Sequence, residues 1–140
     1  MISDGYEILY FKNLGDTRGN LVVLEGNQII PFDIKRIFYI YGAQKNVIRG
    51  QHANRDSDFV LINVSGSSKI KVSNGTDETV IELNQPLKGV YIKKMLWKEM
   101  YDFSEDAVLL VLASTHYNCD EYIRDYDEYV NIMKQQGEKK

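Results

Sequence analysis

Short apolar runs of five to eight residues, cut at close intervals by turn residues, set the first limit on what this chain can fold into. Eight such runs are rich in Val, Ile, Leu, Tyr and Phe: Tyr6–Phe11, Asn20–Glu25, Arg36–Tyr41, Asp58–Val64, Ser68–Val72, Thr79–Leu83, Lys88–Ile92 and Ala107–Ser114. Between them lie "LGDTRGN", "EGNQ", "YGAQKN", "VSGS", "SNGTDE", "LNQP" and "FSED", the glycine, asparagine and aspartate clusters that reverse a chain. Asn74-Gly75, set between two β-rich runs, is a strong hairpin signal because both residues tolerate positive φ. Eight short runs stand at this spacing. They predict an all-β sandwich or barrel rather than βαβ units.

The C-terminal part reads differently. In "CDEYIRDYDEYVNIMKQQ", Cys119 to Gln136, the residues Tyr122, Tyr126, Tyr129 and Met133 recur at helical spacing, with Ile123 and Val130 on a neighbouring stripe. This predicts an amphipathic helix packed on the β domain or on a second subunit. Asp120 and Glu121 suit its positive end and Lys134 its negative end. A frayed tail is expected over 136–140.

Composition narrows the partners. A chain of 140 residues suits one domain, 1–140, with a proper core. A formal net charge of −3 argues against nucleic acid or an anionic membrane as a general partner. The single cysteine, Cys119, excludes an internal disulfide framework and fits a reducing compartment. No apolar run approaches the roughly 20 residues that cross a bilayer, and "MISDGYEILYFK" is no signal peptide. A soluble cytoplasmic protein is the expectation.

Only two histidines occur, and one of them, His52, stands in "RGQHANRDSDFV". On an extended strand His52 and Asn54 share a face. A histidine pair on one strand, followed by an acid and a later histidine, is the metal-binding pattern of small cupin barrels. Here those positions read His52, Asn54, Asp58 and Lys98. Asparagine is a poor transition-metal ligand and an ammonium repels one, so no metal is expected. His52 is left as a base or as a satisfied structural residue. Arg49 falls on the opposite parity unless Gly50 forms a bulge, which would turn it toward a diphosphate. In "RIFYIY", Arg36, Phe38 and Ile40 share one face while Ile37, Tyr39 and Tyr41 share the other. The tyrosines form a polar-aromatic pair suited to a pocket, although parity leaves open which face is interior. His116, in the connection to the helix, is assigned no role.

Three blocks extend the reading: "RGQHAN" with "FVLINVSGSSKI", then "GVYIKKMLWKEMYDFSEDAVLLVLAS", then "YIRDYDEYV". Together with "IPFDIKRIFYIYG" they resemble the sugar 3,4-ketoisomerase family over roughly Gly19 to Val130. The resemblance implies a cupin-type jelly-roll barrel with a C-terminal helix, acting on TDP-4-keto-6-deoxyglucose. It implies a homodimer, no cofactor, and a place in 3-amino-deoxysugar biosynthesis. Many members carry a histidine where this chain has Asn54, and a histidine or arginine where it has Lys98. The resemblance gives His52 the base role. Asn54 is then left to hold a substrate oxygen or the imidazole, and Lys98 to stabilise an enolate oxygen or bind phosphate. Arg49, Tyr39, Tyr41 and Lys98 are candidate oxyanion donors. Trp97, in the family's Trp-x-Glu-Met block, walls the pocket or lies in the core. Arg18, in "GDTRGN", is a loop residue that could close over the sugar. A nucleotide-sugar-binding cupin of little activity, or an epimerase on a related keto sugar, are the alternatives.

Overall fold

The structure, a computed structural model, describes residues 5–138. Its strands are β1 (Tyr6–Tyr10), β2 (Arg36–Tyr41), β3 (Arg49–Asn54), β4 (Phe59–Ser65) and β5 (Ser68–Ser73). They continue as β6 (Glu78–Leu83), β7 (Lys88–Ile92), β8 (Trp97–Tyr101), β9 (Val108–Ala113) and β10 (Tyr122–Ile123), before helix α1 (Tyr126–Glu138). Two five-stranded antiparallel sheets result, ordered β1-β7-β4-β9-β2 and β10-β3-β8-β5-β6. Strand order differs from chain order in both, as a jelly-roll requires.

Alternation along each strand decides what each face covers. Phe59 and Leu61 of β4 point between the sheets, where they meet Ile70, Val72, Val90, Ile92, Leu109 and Val111. Val60 and Ile62 point outward and are buried beneath Phe11, Ile30 and Phe32. The chain between β1 and β2 therefore roofs the first sheet. On the outer face of the second sheet, Ala53, Trp97 and Ile123 pack against Tyr129, so α1 roofs that side. Tyr129 donates its hydroxyl to the carbonyls of Met95 (2.7 Å) and Ser73 (3.1 Å), which pins the helix to the sheet. The expected hairpin at Asn74-Gly75 joins β5 to β6, with Gly75 at φ +93° and Asn74 Oδ1 accepting from the Thr76 and Asp77 amides.

Three expectations are corrected. Asn20–Glu25 belongs to neither sheet: it lies over the first sheet with Val22 and Leu24 packed inward, and its Leu21 carbonyl accepts from the Leu14 amide at 2.7 Å. The helix does not start at Cys119, because Asp125 caps it by accepting from the Glu128 amide at 3.0 Å. Upstream, Cys119–Glu121 is a single 3-10 turn and Tyr122–Ile123 pairs with β3 instead. Glu121, expected at the helix dipole, is buried and takes hydrogen bonds from the Ser57 hydroxyl and the Asp56 amide. Lastly, positions 136–138, expected to fray, are helical; Lys139 and Lys140 lie outside the described residues.

Candidate active site

A cavity of about 150 Å³ opens between the sheets. Phe38 and Ile40 of β2 line one wall, with Phe59, Leu61 and Val111 from the same sheet. Arg49, Gly50 and His52 of β3, Lys98 and Met100 of β8, and Tyr122 of β10 form the other. Strand pairing makes the site: His52 and Lys98 are direct partners across β3 and β8. Just before His52 the register shifts, with Gly50 at φ +81° and Gln51 at φ +55°. This bulge brings Arg49 onto the cavity side with His52, as the sequence allows.

His52 is fixed at both ends. Its Nδ1 lies 2.9 Å from the Gly50 carbonyl, an obligate acceptor, so Nδ1 carries the proton and Nε2 keeps its lone pair. Its ring meets Tyr122 edge-on at 4.8 Å. Burial, and then the positive charge of Lys98, hold the imidazole down at about 3, against a weaker upward pull from the Gly50 carbonyl. His52 is thus neutral around pH 7.

Lys98 is 3% exposed and donates to Asn54 Oδ1 at 2.8 Å, with its Nζ 4.3 Å from the centre of the Phe59 ring. Burial pushes the ammonium down to about 7; Glu121 pulls it up and Arg36 presses it further down. Asn54 is itself buried, and its Nδ2 finds no acceptor at hydrogen-bonding geometry, although the Glu121 carboxylate is near enough to feel it. Burial raises Glu121, but the hydrogen bonds from Ser57 and from the Asp56 amide outweigh it and leave the carboxyl low. Beneath the cavity, then, a neutral asparagine stands between a buried ammonium and a buried carboxylate.

The structure sorts the residues singled out in the sequence. His52, Arg49 and Lys98 line the cavity, and Asn54 lies behind Lys98 as its hydrogen-bond acceptor. Tyr39 and Tyr41 are corrected: they point outward and are 62% and 72% exposed, because the inward parity of β2 belongs to Phe38 and Ile40. Trp97 takes the second of its two readings, the core. It faces α1, stacks edge-on with Tyr126 at 5.0 Å and donates Nε1–H to Glu99 at 2.9 Å. Arg18 stays on an exposed turn, paired with Asp16 at 2.6 Å, and lines a hollow that shares no residue with the cavity. Phe38 and Tyr122 were not singled out as site residues. Phe38 had its parity as a signal; Tyr122 was hidden by its helical spacing from Tyr126. Among the described residues no three His, Cys, Asp or Glu side chains converge as a metal site.

A jelly-roll that sets a neutral imidazole beside a buried amine, on a cavity lined largely by apolar residues, has the architecture of a cupin and holds groups able to move a proton. The family model described as "FdtA: WxcM-like, C-terminal" matches residues 4–134. TDP-4-oxo-6-deoxy-alpha-D-glucose-3,4-oxoisomerase of Aneurinibacillus thermoaerophilus is 40% identical over 123 residues, covering 88% of each chain. A 3,4-ketoisomerase from Helicobacter canadensis superposes with a TM-score of 0.89 at 46% identity, over 92% of this chain and 97% of that one. QdtA, a sugar 3,4-ketoisomerase from Thermoanaerobacterium thermosaccharolyticum in complex with TDP, gives 0.93 at 42%, over 96% and 98%. The chain belongs to this WxcM-like family of sugar 3,4-ketoisomerases.

Proposed function

We propose that the chain moves the ketone of TDP-4-keto-6-deoxyglucose from carbon 4 to carbon 3, with His52 as the base. The curated relative is named for this 3,4-oxoisomerase reaction, and a variant of QdtA is described in complex with that substrate. The observation that carries the reading is the free Nε2 of a neutral His52, facing Lys98 inside the cavity.

In a 4-keto sugar the carbonyl acidifies the hydrogen on carbon 3. Nε2 takes that proton, the electron pair forms a double bond between carbons 3 and 4, and the negative charge moves to oxygen 4. Oxygen 4 gains a proton, oxygen 3 loses one, and a proton returned to carbon 4 leaves the ketone at carbon 3. Atoms and electrons balance within the sugar. A low-lying imidazole is a weak base in an empty cavity. Enolate charge developing beside it favours the imidazolium, and the same poor solvation strengthens that attraction. Lys98 supplies a positive charge on the opposite strand, and Arg49 stands at the mouth for the diphosphate. Asn54 positions Lys98. The reaction would supply a 3-keto sugar to an aminating enzyme, in the cytoplasm where sugar nucleotides are made.

A homodimer completes the proposal. Ile37, Tyr39 and Tyr41 leave an apolar strip, 61%, 62% and 72% exposed, along β2, an edge of the first sheet. Strips of this kind on a sheet edge are usually covered.

Proton NMR in deuterium oxide tests the reaction. With TDP-4-keto-6-deoxyglucose, the protein should yield a 3-keto sugar carrying deuterium on carbon 4. His52→Asn should be slower by about 10² or more, the scale for losing a general base. Tight TDP binding with no exchange at carbon 3 or 4 would establish a binding protein instead.

A further inference from the structure

Two buried charges of opposite sign lie beneath the cavity without touching. Lys98, on β8, is 3% exposed, and so is Glu121, the last residue of the 3-10 turn Cys119–Glu121. Among the described residues neither has an ion-pair partner. The Lys98 ammonium donates to Asn54 Oδ1 at 2.8 Å. The Glu121 carboxylate accepts from the Ser57 hydroxyl, from the Asp56 amide at 3.1 Å and from the Thr115 hydroxyl at 3.5 Å, all neutral groups. A buried charge without a counter-charge is costly, so a carboxylate kept here answers some further need.

Asn54 joins the two. An ammonium has only protons to offer, so the amide turns its oxygen to Lys98 and leaves its NH2 group for an acceptor on the other side. That Nδ2 is buried without a partner at hydrogen-bonding geometry, and Glu121 is the carboxylate near enough to feel it. An amide presents an acceptor to a cation and a donor to an anion; a carboxylate in its place would repel Glu121, and an aliphatic chain would serve neither. Lys98 lines the cavity, whereas Asn54 and Glu121 do not. The turn also holds the strand behind the site. The Glu121 carbonyl accepts from the Arg55 amide at 3.0 Å, and Tyr122, next in the chain, pairs with Asn54. Around Lys98 stand His52 and Arg49 on β3, Arg36 on β2, the Phe59 ring on β4 and the apolar Val72 on β5. None of these is an anion. Arg36 presses the ammonium down, and Glu121 is the charge that pulls it up.

We propose that Glu121 is a positioning residue of the ketoisomerase site: acting through the Asn54 amide, it holds the Lys98 amine in place and keeps it charged up to neutral pH. The proposal rests on the ketoisomerase reading and adds to it a residue that touches no substrate.

The test is the pH profile of kcat/KM for TDP-4-keto-6-deoxyglucose in wild type, Glu121→Gln and Glu121→Asp, beside the Lys98 titration read from its ε-carbon resonance. Removing an opposite charge close by lowers an ammonium midpoint by about one unit or more, so the Lys98 midpoint should drop by about that much from about 7 in Glu121→Gln. In the same variant kcat/KM should fall about tenfold at about pH 8, yet stay within about twofold of wild type at about pH 5.5, where Lys98 is charged in both. Glu121→Asp keeps the charge and should keep more of the activity at the higher pH. An equal loss at both pH values would leave Glu121 a merely structural residue and overturn the proposal, as would an unchanged Lys98 midpoint. If wild type itself does not turn over, the ketoisomerase reading fails, and the Lys98 midpoint still decides this one. Should the variants not fold, wild type decides. Its Glu121 carboxyl-carbon resonance should move as Lys98 titrates near pH 7, and should stay still in Lys98→Arg, a control for His116 beside Thr115. A flat line in wild type, or the same movement in both proteins, would sink the coupling.

Discussion

Lys98 is the residue at which this site departs from what its surroundings would otherwise select. An ammonium buried to 3% exposure with only an amide oxygen for company is held near 7 rather than 10.5. If its charge assists the enolate, kcat/KM should fall as pH rises through about 7, where the free enzyme loses that charge. Lys98→Arg stays charged throughout and should lack this falling limb. No matching loss from His52 is expected on the acid side until pH approaches about 3. Stability carries the same signature. Between pH 7 and 10.5 the unfolded chain holds the Lys98 proton while the folded chain has released it, so stability rises with pH across that window. Lys98→Met removes this penalty, on the order of a few kcal/mol, but orphans Asn54 Oδ1 at about 1–3 kcal/mol. Urea unfolding should find the variant no less stable at pH 6, with any advantage shrinking toward pH 10. Parity in the sequence put His52 and Asn54 on one face and foresaw that Gly50 could turn Arg49 inward. It could not choose between the two faces of β2. The aromatic hydroxyls made Tyr39 and Tyr41 look like pocket residues, whereas the cavity takes the apolar Phe38 and Ile40.

At the scale of elements, the bulge in β3 is the device on which the site depends. A Cβ on Gly50 would stand 3.0 Å from both the Lys98 carbonyl and the Met100 methyl, at a φ of +81° that L residues rarely adopt. Gly50→Ala should therefore lose about 1–3 kcal/mol in urea unfolding. It should also lose activity beyond what that destabilisation explains, because relaxing the bulge rotates Arg49 and the carbonyl that orients His52. A variant unaffected in both would show that the register shift is incidental. The eight apolar runs announced most of the sheet, but β3 and β8 lay outside them: one carries glycine, glutamine and asparagine, the other two charged residues in five. Both are interior strands of the second sheet, held by neighbours on either side, so tertiary pairing overrides their weak local preference. Helix α1 shows the opposite error. Tyr122 continues the helical spacing of Tyr126 and Tyr129, yet Asp125 caps the helix and Tyr122 joins β3, where it packs on His52.

Across the whole molecule, the two outer faces are finished differently. The second sheet is roofed by α1, with Trp97 and Tyr129 buried where the two meet. The first is roofed only by the extended chain between β1 and β2, which leaves Leu14, Leu21, Val23 and Ile29 between 41% and 54% exposed. Beside that roof lies β2, whose Ile37, Tyr39 and Tyr41 sit opposite Leu112, Leu110 and Val108 of β9. Exposed apolar side chains concentrated on one side of a small domain fit a partner surface better than open water. A twofold pairing of this face with itself would cover the β2 edge and would explain why Tyr39 and Tyr41 are aromatic without reaching the cavity. The proposed homodimer should then depend on them. Sedimentation equilibrium of wild type should give twice the chain mass. The double change of Tyr39→Glu and Tyr41→Glu should shift it toward monomer, since two carboxylates per chain would have to be desolvated at the contact. The cavity-facing residues of β2 are untouched by that change, so circular dichroism and TDP affinity should be retained. A variant that stays dimeric would move the interface to another face, and a monomeric wild type would remove it.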